Sequence, residues 1–198
     1  MITLFGRTWN IDGPWGAPGN GMFQPSNVFV AGGALVLRMT QTQVNSGIVS
    51  SDAEVCSVDK FGYGTFEFTA AVDPVQSGQV ASGFLYFNNS ETEIDVELAG
   101  DAPSTVWVTN YSGVTNKQYT EVPNVPHSAF HRYAITWLPG HIGFSVDGVL
   151  VAPHTQFVPT APAYFLFNFW GTNSKSWGGL ATLGTRYMFV TDFKFTPF

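Results

Sequence analysis

Glu91-Thr92-Glu93-Ile94-Asp95-Val96-Glu97-Leu98 reads as a β-strand with two unlike faces. Successive side chains on a strand point to opposite sides. Ile94, Val96 and Leu98 then share one face, and Glu91, Glu93, Asp95 and Glu97 share the other. The apolar face asks for a second layer to cover it. The acidic face sets like charges about 7 Å apart, and no Lys or Arg within the segment neutralises them. A strand that only meets solvent usually mixes charge signs, so the acids ask for an explanation beyond solubility.

The chain on either side repeats the same grammar. Turn residues recur every eight to twelve positions with apolar alternation between them, the pattern of a sandwich or barrel. The reading predicts strands at Asn27–Val30, Ala34–Thr40, Ala53–Val58, Gly64–Val72, Ser82–Phe87, Glu93–Ala99, Thr105–Tyr111, His131–Leu138, His141–Val146, Val149–Pro153, Ala163–Phe169 and Met188–Thr196. Asp147-Gly148 supplies a tight hairpin turn, and Pro139-Gly140 acts similarly one strand earlier. Asn10 to Pro25, rich in Gly and Pro, reads as a long loop. No segment holds a helical period, and no linker or repeat divides residues 1–198, so one all-β domain is expected. Twelve strands suit two stacked antiparallel sheets, a jelly roll.

Composition narrows the function classes. Of the 198 residues, 44% are hydrophobic, 16% aromatic and only 11% charged, the reverse of a disordered chain. Eight basic residues against 14 acidic ones give a net charge of −6, which argues against nucleic acid as a partner. No apolar run reaches the ~18 residues of a membrane span. The single Cys cannot form an intramolecular disulfide, so the fold must rest on its core. Met1 to Arg7 has neither the basic start nor the apolar stretch of a signal peptide.

Clustered carboxyls on a rigid strand suit acid/base work on a sugar bond. Such chemistry needs one protonated and one ionised carboxyl flanking the scissile linkage, and crowding raises the pKa of at least one of them. Geometry sets a demand: Cα atoms four residues apart on a strand are about 13 Å apart, whereas a retaining pair works with carboxyls ~5–5.5 Å apart. Glu93 and Glu97 must therefore lean together.

Glu93-Ile94-Asp95-Val96-Glu97 resembles the catalytic E-[ILV]-D-x-E strand of glycoside hydrolase family 16, the group of lichenases and xyloglucan endotransglycosylases. Three further blocks resemble the family in order: Phe61-Gly62-Tyr63-Gly64-Thr65-Phe66-Glu67; Phe130-His131-Arg132-Tyr133 through Trp137 to Val146-Asp147-Gly148; and Asn168-Phe169-Trp170 with Trp177 behind it. The resemblance implies a concanavalin A-like β-jelly roll with a sugar cleft across its concave sheet. It implies Glu93 as nucleophile, Glu97 as acid/base and Asp95 as the residue that tunes them. It also implies a polysaccharide partner, with mixed-linkage β-1,3-1,4-glucan favoured because no extra residue precedes Glu97. Catalysis then needs no cofactor. A monomer is expected, acting outside the cell after removal of a leader.

The resemblance also nominates a binding surface. Phe84 and Tyr86 share a strand face and can stack on sugar rings. Trp170 and Trp177 are candidate platforms, Trp170 as an exposed loop residue after a strand. Asn168, Glu54, Asn110, Tyr111 and Asn20 are candidate polar contacts. Asp192 is a candidate structural calcium ligand, since calcium favours oxygen. Two positions depart from the lichenase pattern: Glu91 stands where a Trp is usual, and Cys56 where an Arg is usual. The four histidines lack zinc-ligand spacing, His131 reads as structural, and Cys56 reads as an unreactive thiol. The rival readings are a transglycosylase using the same acids and a non-catalytic lectin-like module.

Overall fold

The computed structural model describes residues 1–19 and 21–198. In chain order its strands are β1 (Ile2–Leu4), β2 (Arg7–Ile11), β3 (Trp15–Gly16), β4 (Gly21–Phe23), β5 (Val28–Ala31), β6 (Ala34–Val44), β7 (Gly47–Phe61), β8 (Gly64–Asp73) and β9 (Gln79–Phe87). They continue as β10 (Thr92–Ala99), β11 (Thr105–Tyr111), β12 (Lys117–Pro123), β13 (His131–Leu138), β14 (His141–Val146), β15 (Val149–His154), β16 (Ala163–Gly171) and β17 (Gly184–Pro197). Helix among the described residues is limited to one 3-10 turn, Pro25–Asn27.

The strands form a jelly-roll sandwich. The front sheet runs β1-β2-β7-β16-β9-β10-β11-β12. In the back sheet β5 and β17 flank β6, and the order continues β17-β8-β13-β14-β15. β7 belongs to both sheets. Its first residues pair with β6 and β4 at the back, and Ala53 to Phe61 pair with β16 at the front. Among the described residues every pairing of these strands is antiparallel except β4 with β7.

All twelve predicted strands are present, and the observed set is larger. Asn10 to Pro25 is not one loop: it holds the end of β2, then β3 and β4. β1, β2 and β12 were also unread, for a physical reason. In β12 only Val122 is buried, so it carries no apolar alternation; β1 and β2 do alternate, but over only three and five residues. The Asp147-Gly148 hairpin is confirmed, with φ of 52° and 82° at the two residues.

The core is a seam of phenylalanines between the sheets. Phe165 and Phe167 of β16 meet Phe66 and Phe68 of β8, with Phe68–Phe167 edge-on at 5.3 Å and Phe66–Phe165 stacked at 5.7 Å. Trp9 and Phe193 close on the same cluster. Ile94, Val96 and Leu98 join it, each at most 3% exposed, so one face of β10 is held in the core. Burying each such side chain contributes roughly 1.5–3 kcal/mol. Gly83, opposite Val96 on β9, leaves room for a ring of the other sheet: a Cβ there would sit 2.6 Å from the Phe68 ring. Gly83→Ala is therefore expected to destabilise the protein by about 1–3 kcal/mol through overpacking. Urea denaturation checks this, and an unchanged midpoint would contradict the packing.

Candidate active site

With one face of β10 in the core, Glu93, Asp95 and Glu97 emerge together on the outer face of the front sheet. Register sets their neighbours. Glu93 stands between Tyr86 of β9 and Tyr111 of β11, Asp95 between Phe84 and Thr109, and Glu97 between Ser82 and Trp107. Beyond Ser82 the row continues to Asn168 of β16 and then Glu54 of β7. Beyond β11 it reaches Lys117, Tyr119 and Glu121 of β12.

Two cavities open along this face, and Glu97 lines both. One, of about 560 Å³, holds Glu93, Asp95, Glu54, Phe84, Tyr86, Asn168 and Trp170. The other, of about 610 Å³, holds Trp107, Tyr111, Lys117, Tyr119, Glu121 and Trp177. Trp107 stacks with Tyr119 at 6.4 Å and meets Trp177 edge-on at 5.3 Å, so the second cavity is walled by rings.

The three acids differ in environment. Burial and the charges of Glu93 and Glu97 push Asp95 well above the usual carboxylate range. Burial and then Glu93 push Glu97 up to about 8, against the opposing charge of Lys117. Burial also raises Glu93, but a hydrogen bond from Ser90 opposes it. That Ser90 sits in a left-handed turn, with φ between 48° and 61° at Asn88, Asn89 and Ser90. Glu97 and Asp95 are thus both pushed towards keeping a proton near neutrality. Glu93 is the one whose rise is opposed by a side-chain hydrogen bond, and a protonated Asp95 between them can donate to either. Paired carboxyls with pKa values pushed apart divide into an acid and a base or nucleophile. Tyr111 is held as a phenol, raised to about 12 by burial and by the charges of Asp95, Glu93 and Glu97.

The model of Glycosyl hydrolases family 16 matches residues 19–186. The chain belongs to glycosyl hydrolase family 16. A β-glucanase of Paenibacillus polymyxa is 33% identical over 171 residues, covering 81% of this chain and 69% of that protein. A Rhizobium meliloti endo-1,3-1,4-beta-glycanase is 26% identical over 189 residues, covering 89% and 69%. The fold matches the structure of Bacillus licheniformis β-glucanase with a TM-score of 0.83 at 24% identity, covering 96% of this chain and 92% of that one.

Within this family member the expected residues divide between the two cavities. Glu54, Phe84, Tyr86, Asn168 and Trp170 gather with the three acids, while Tyr111 and Trp177 lie on the far side of Glu97. Trp170 is not on a loop: it lies within β16 and is 8% exposed, a wall packed on Phe23 and Val80. Glu91 does not belong to the acidic face. The strand starts at Thr92, and Glu91 accepts a hydrogen bond from Asn88 in the turn (2.8 Å), exposed and away from both cavities. Asn110 is buried, bonding His154 and the carbonyls of Gln156 and Phe157; its register opposite Ile94 points it away from the acids. Asn20 lies outside the described residues. His131 bonds Asp147 at 2.7 Å, as a structural role requires, and burial pushes the Cys56 thiol up to about 12.

Asp192 is exposed on β17 beside a bulge. Among the described residues no group of three or more His, Cys, Asp or Glu is arranged to hold a metal. Calcium at Asp192 would draw its remaining oxygens from backbone carbonyls and water, and no chemistry is routed through it. The residues that sequence reading missed are Trp15, Trp107, Lys117 and Tyr119. Trp107 was within reach, since it is four residues before Tyr111 on the same strand face. The others lie on strands that were not read.

A carboxyl whose folded pKa lies above its unfolded one costs stability once it ionises, so the cost grows as pH rises through the folded value. Glu97→Gln is therefore expected to melt higher than wild type at pH 8, with the gap closing towards pH 4. Thermal melts across that range check it, and equal melting points throughout would contradict the burial of this group.

Proposed function

We propose that this chain hydrolyses internal linkages of mixed-linkage β-1,3-1,4-glucan with retention of configuration. The observation that carries the reading is Glu97 at the junction of two cavities, so that a polymer has wall on both sides of the bond being cut. The names of the P. polymyxa and R. meliloti relatives support the substrate class.

In this reading Glu97 gives its proton to the glycosidic oxygen as that bond breaks, while a Glu93 oxygen forms an ester to the anomeric carbon. The leaving chain departs along the ring-walled side. Glu97, now ionised, takes a proton from water as the water oxygen attacks the anomeric carbon, and the Glu93 carboxylate is released. Two inversions leave the configuration unchanged. Asp95 donates to the Glu93 carboxylate and limits repulsion between the two glutamates. Tyr86 and Phe84 offer faces to sugar rings, Trp170 walls the cavity beside them, and Glu54 and Asn168 offer polar contacts. A polymeric substrate suits action outside the cell. No calcium takes part in these steps, and Asp192 would serve stability alone. The rings of the second cavity favour one further reading, in which a sugar replaces water and is elongated; product sizes with and without an oligosaccharide acceptor separate the two.

Glu93→Gln and Glu97→Gln are each expected to lower kcat on barley β-glucan by at least about 10³-fold with the circular dichroism spectrum unchanged. Retained activity in either removes that residue's role, and a wild type inactive on β-glucan, laminarin and xyloglucan alike removes the hydrolase reading. Lys117 favours the ionised form of Glu97, so Lys117→Met is expected to raise the Glu97 pKa. The alkaline limb of kcat/KM, where the acid loses its proton, then moves to higher pH. A pH–rate profile reads the shift, and movement to lower pH would contradict it.

A further inference from the structure

Below the cleft, the end of β16 is gripped by two buried polar groups that take no part in the chemistry described above. Asp52 of β7 is fully buried. Its Oδ1 accepts from the Gly171 N–H at 2.9 Å and from the Ser50 hydroxyl. Its Oδ2 is buried with no partner and lies against Gly21, where a Cβ would strike it. One residue further on, Gln41 of β6 donates to the Thr172 carbonyl at 2.9 Å. The Gln41 Oε1 accepts from Arg186 at 3.1 Å and from the Thr182 N–H.

Arg186 is itself fully buried, and its other partners are Gln76, the Met39 sulfur and the Thr182 carbonyl, none of them a carboxylate. A buried cation and a buried carboxyl thus reach the same short stretch of backbone, bridged by an amide and two peptide groups rather than touching. Leaving such groups buried is costly unless they are bonded, so the arrangement fixes that backbone stretch. The stretch follows directly on Trp170, which packs on Phe23 and Val80 and lines the cavity with Glu93, Asp95 and Glu97. A Cβ at Gly171 would strike the Ser50 hydroxyl, which bonds Asp52, and the Gln41 amide, so the backbone sits hard on both groups.

We propose that Asp52 and Gln41 are positioning residues that set the Trp170 ring for the sugar chain. This rests on the glucanase reading above, in which Trp170 is a wall of the substrate cleft. Asp52→Leu removes the acceptor for the Gly171 N–H, and Asp52→Asn keeps an oxygen there. Gln41→Met releases the Thr172 carbonyl and serves as a second variant should Asp52→Leu fail to fold.

The experiment measures KM and kcat on β-glucan for each variant, alone and combined with Trp170→Phe. Asp52→Leu and Gln41→Met are each expected to raise KM by about fivefold alone, and by less than about 1.5-fold once Trp170 is already Phe. Asp52→Asn is expected to restore KM to within about twofold of wild type. An equal rise in both backgrounds, or no rise in either, overturns the proposal while leaving the hydrolase reading intact. A wild type that releases no reducing ends from any glucan overturns the hydrolase reading, and this inference with it.

Discussion

The site depends on one strand being held from behind. β10 presents Ile94, Val96 and Leu98 to a phenylalanine-rich core, and that anchorage keeps three carboxyls side by side on its other face. Carboxyls at this spacing repel one another and resist burial. Left to itself the segment would turn or slip to separate them. Slipping by one residue would place Glu93, Asp95 and Glu97 in the core and expose the apolar set, so register is strongly specified. The opposition of β16 phenylalanines to those of β8, and the space left by Gly83 for the Phe68 ring, are therefore conditions for the acidic face rather than background to it.

Given that anchorage, the neighbours decide which acid does what. Glu97 feels the opposing charge of Lys117, yet burial still holds its pKa up at about 8. Glu93 lies beside the left-handed turn, where Ser90 stabilises its ionised form. Asp95 sits between two like charges at 5% exposure, and burial with those charges holds it well above the usual carboxylate range. Identical chemistry along one strand thus becomes a graded series, and the grading comes from the two ends of the strand having different surroundings.

Where the sequence could be read, it was because alternation and turn chemistry were local. The β10 segment, the Asp147-Gly148 hairpin and the boundaries of β11, β13 and β14 all follow from short-range patterns. Glu91 shows the limit of that method. Alternation alone carried the acidic face one residue pair too far, because the three consecutive left-handed residues before it end the strand at Thr92. Nothing local marks Asn-Asn-Ser as such a turn rather than an ordinary polar run. β12 was invisible for the opposite reason: as an edge strand it is stabilised by pairing with β11 rather than by burying a face, so its composition is that of a loop. Asn110 was misread because a polar residue between the sheets looks, in sequence, like one facing a cleft. Its role is set by loop carbonyls more than forty residues away.

The departure at Cys56 acquires a physical meaning in the same way. Family resemblance places an arginine there, beside Glu54 and near the strand that carries Asn168. With a neutral thiol instead, the carboxyls at that end of the cleft lose a counter-charge. Burial then raises Glu54 to about 7 and Asp12 to about 6, with the Asn168 amide at 3.3 Å the one group reducing the shift at Glu54. A carboxyl that is half protonated near neutrality can donate to a sugar hydroxyl as well as accept from one, which an arginine-paired carboxylate cannot. Protonation thus takes over the neutralising part that a cation would have played, and Glu54 stays in the cavity wall, bonded by the Asn168 amide, without a buried cation beside it.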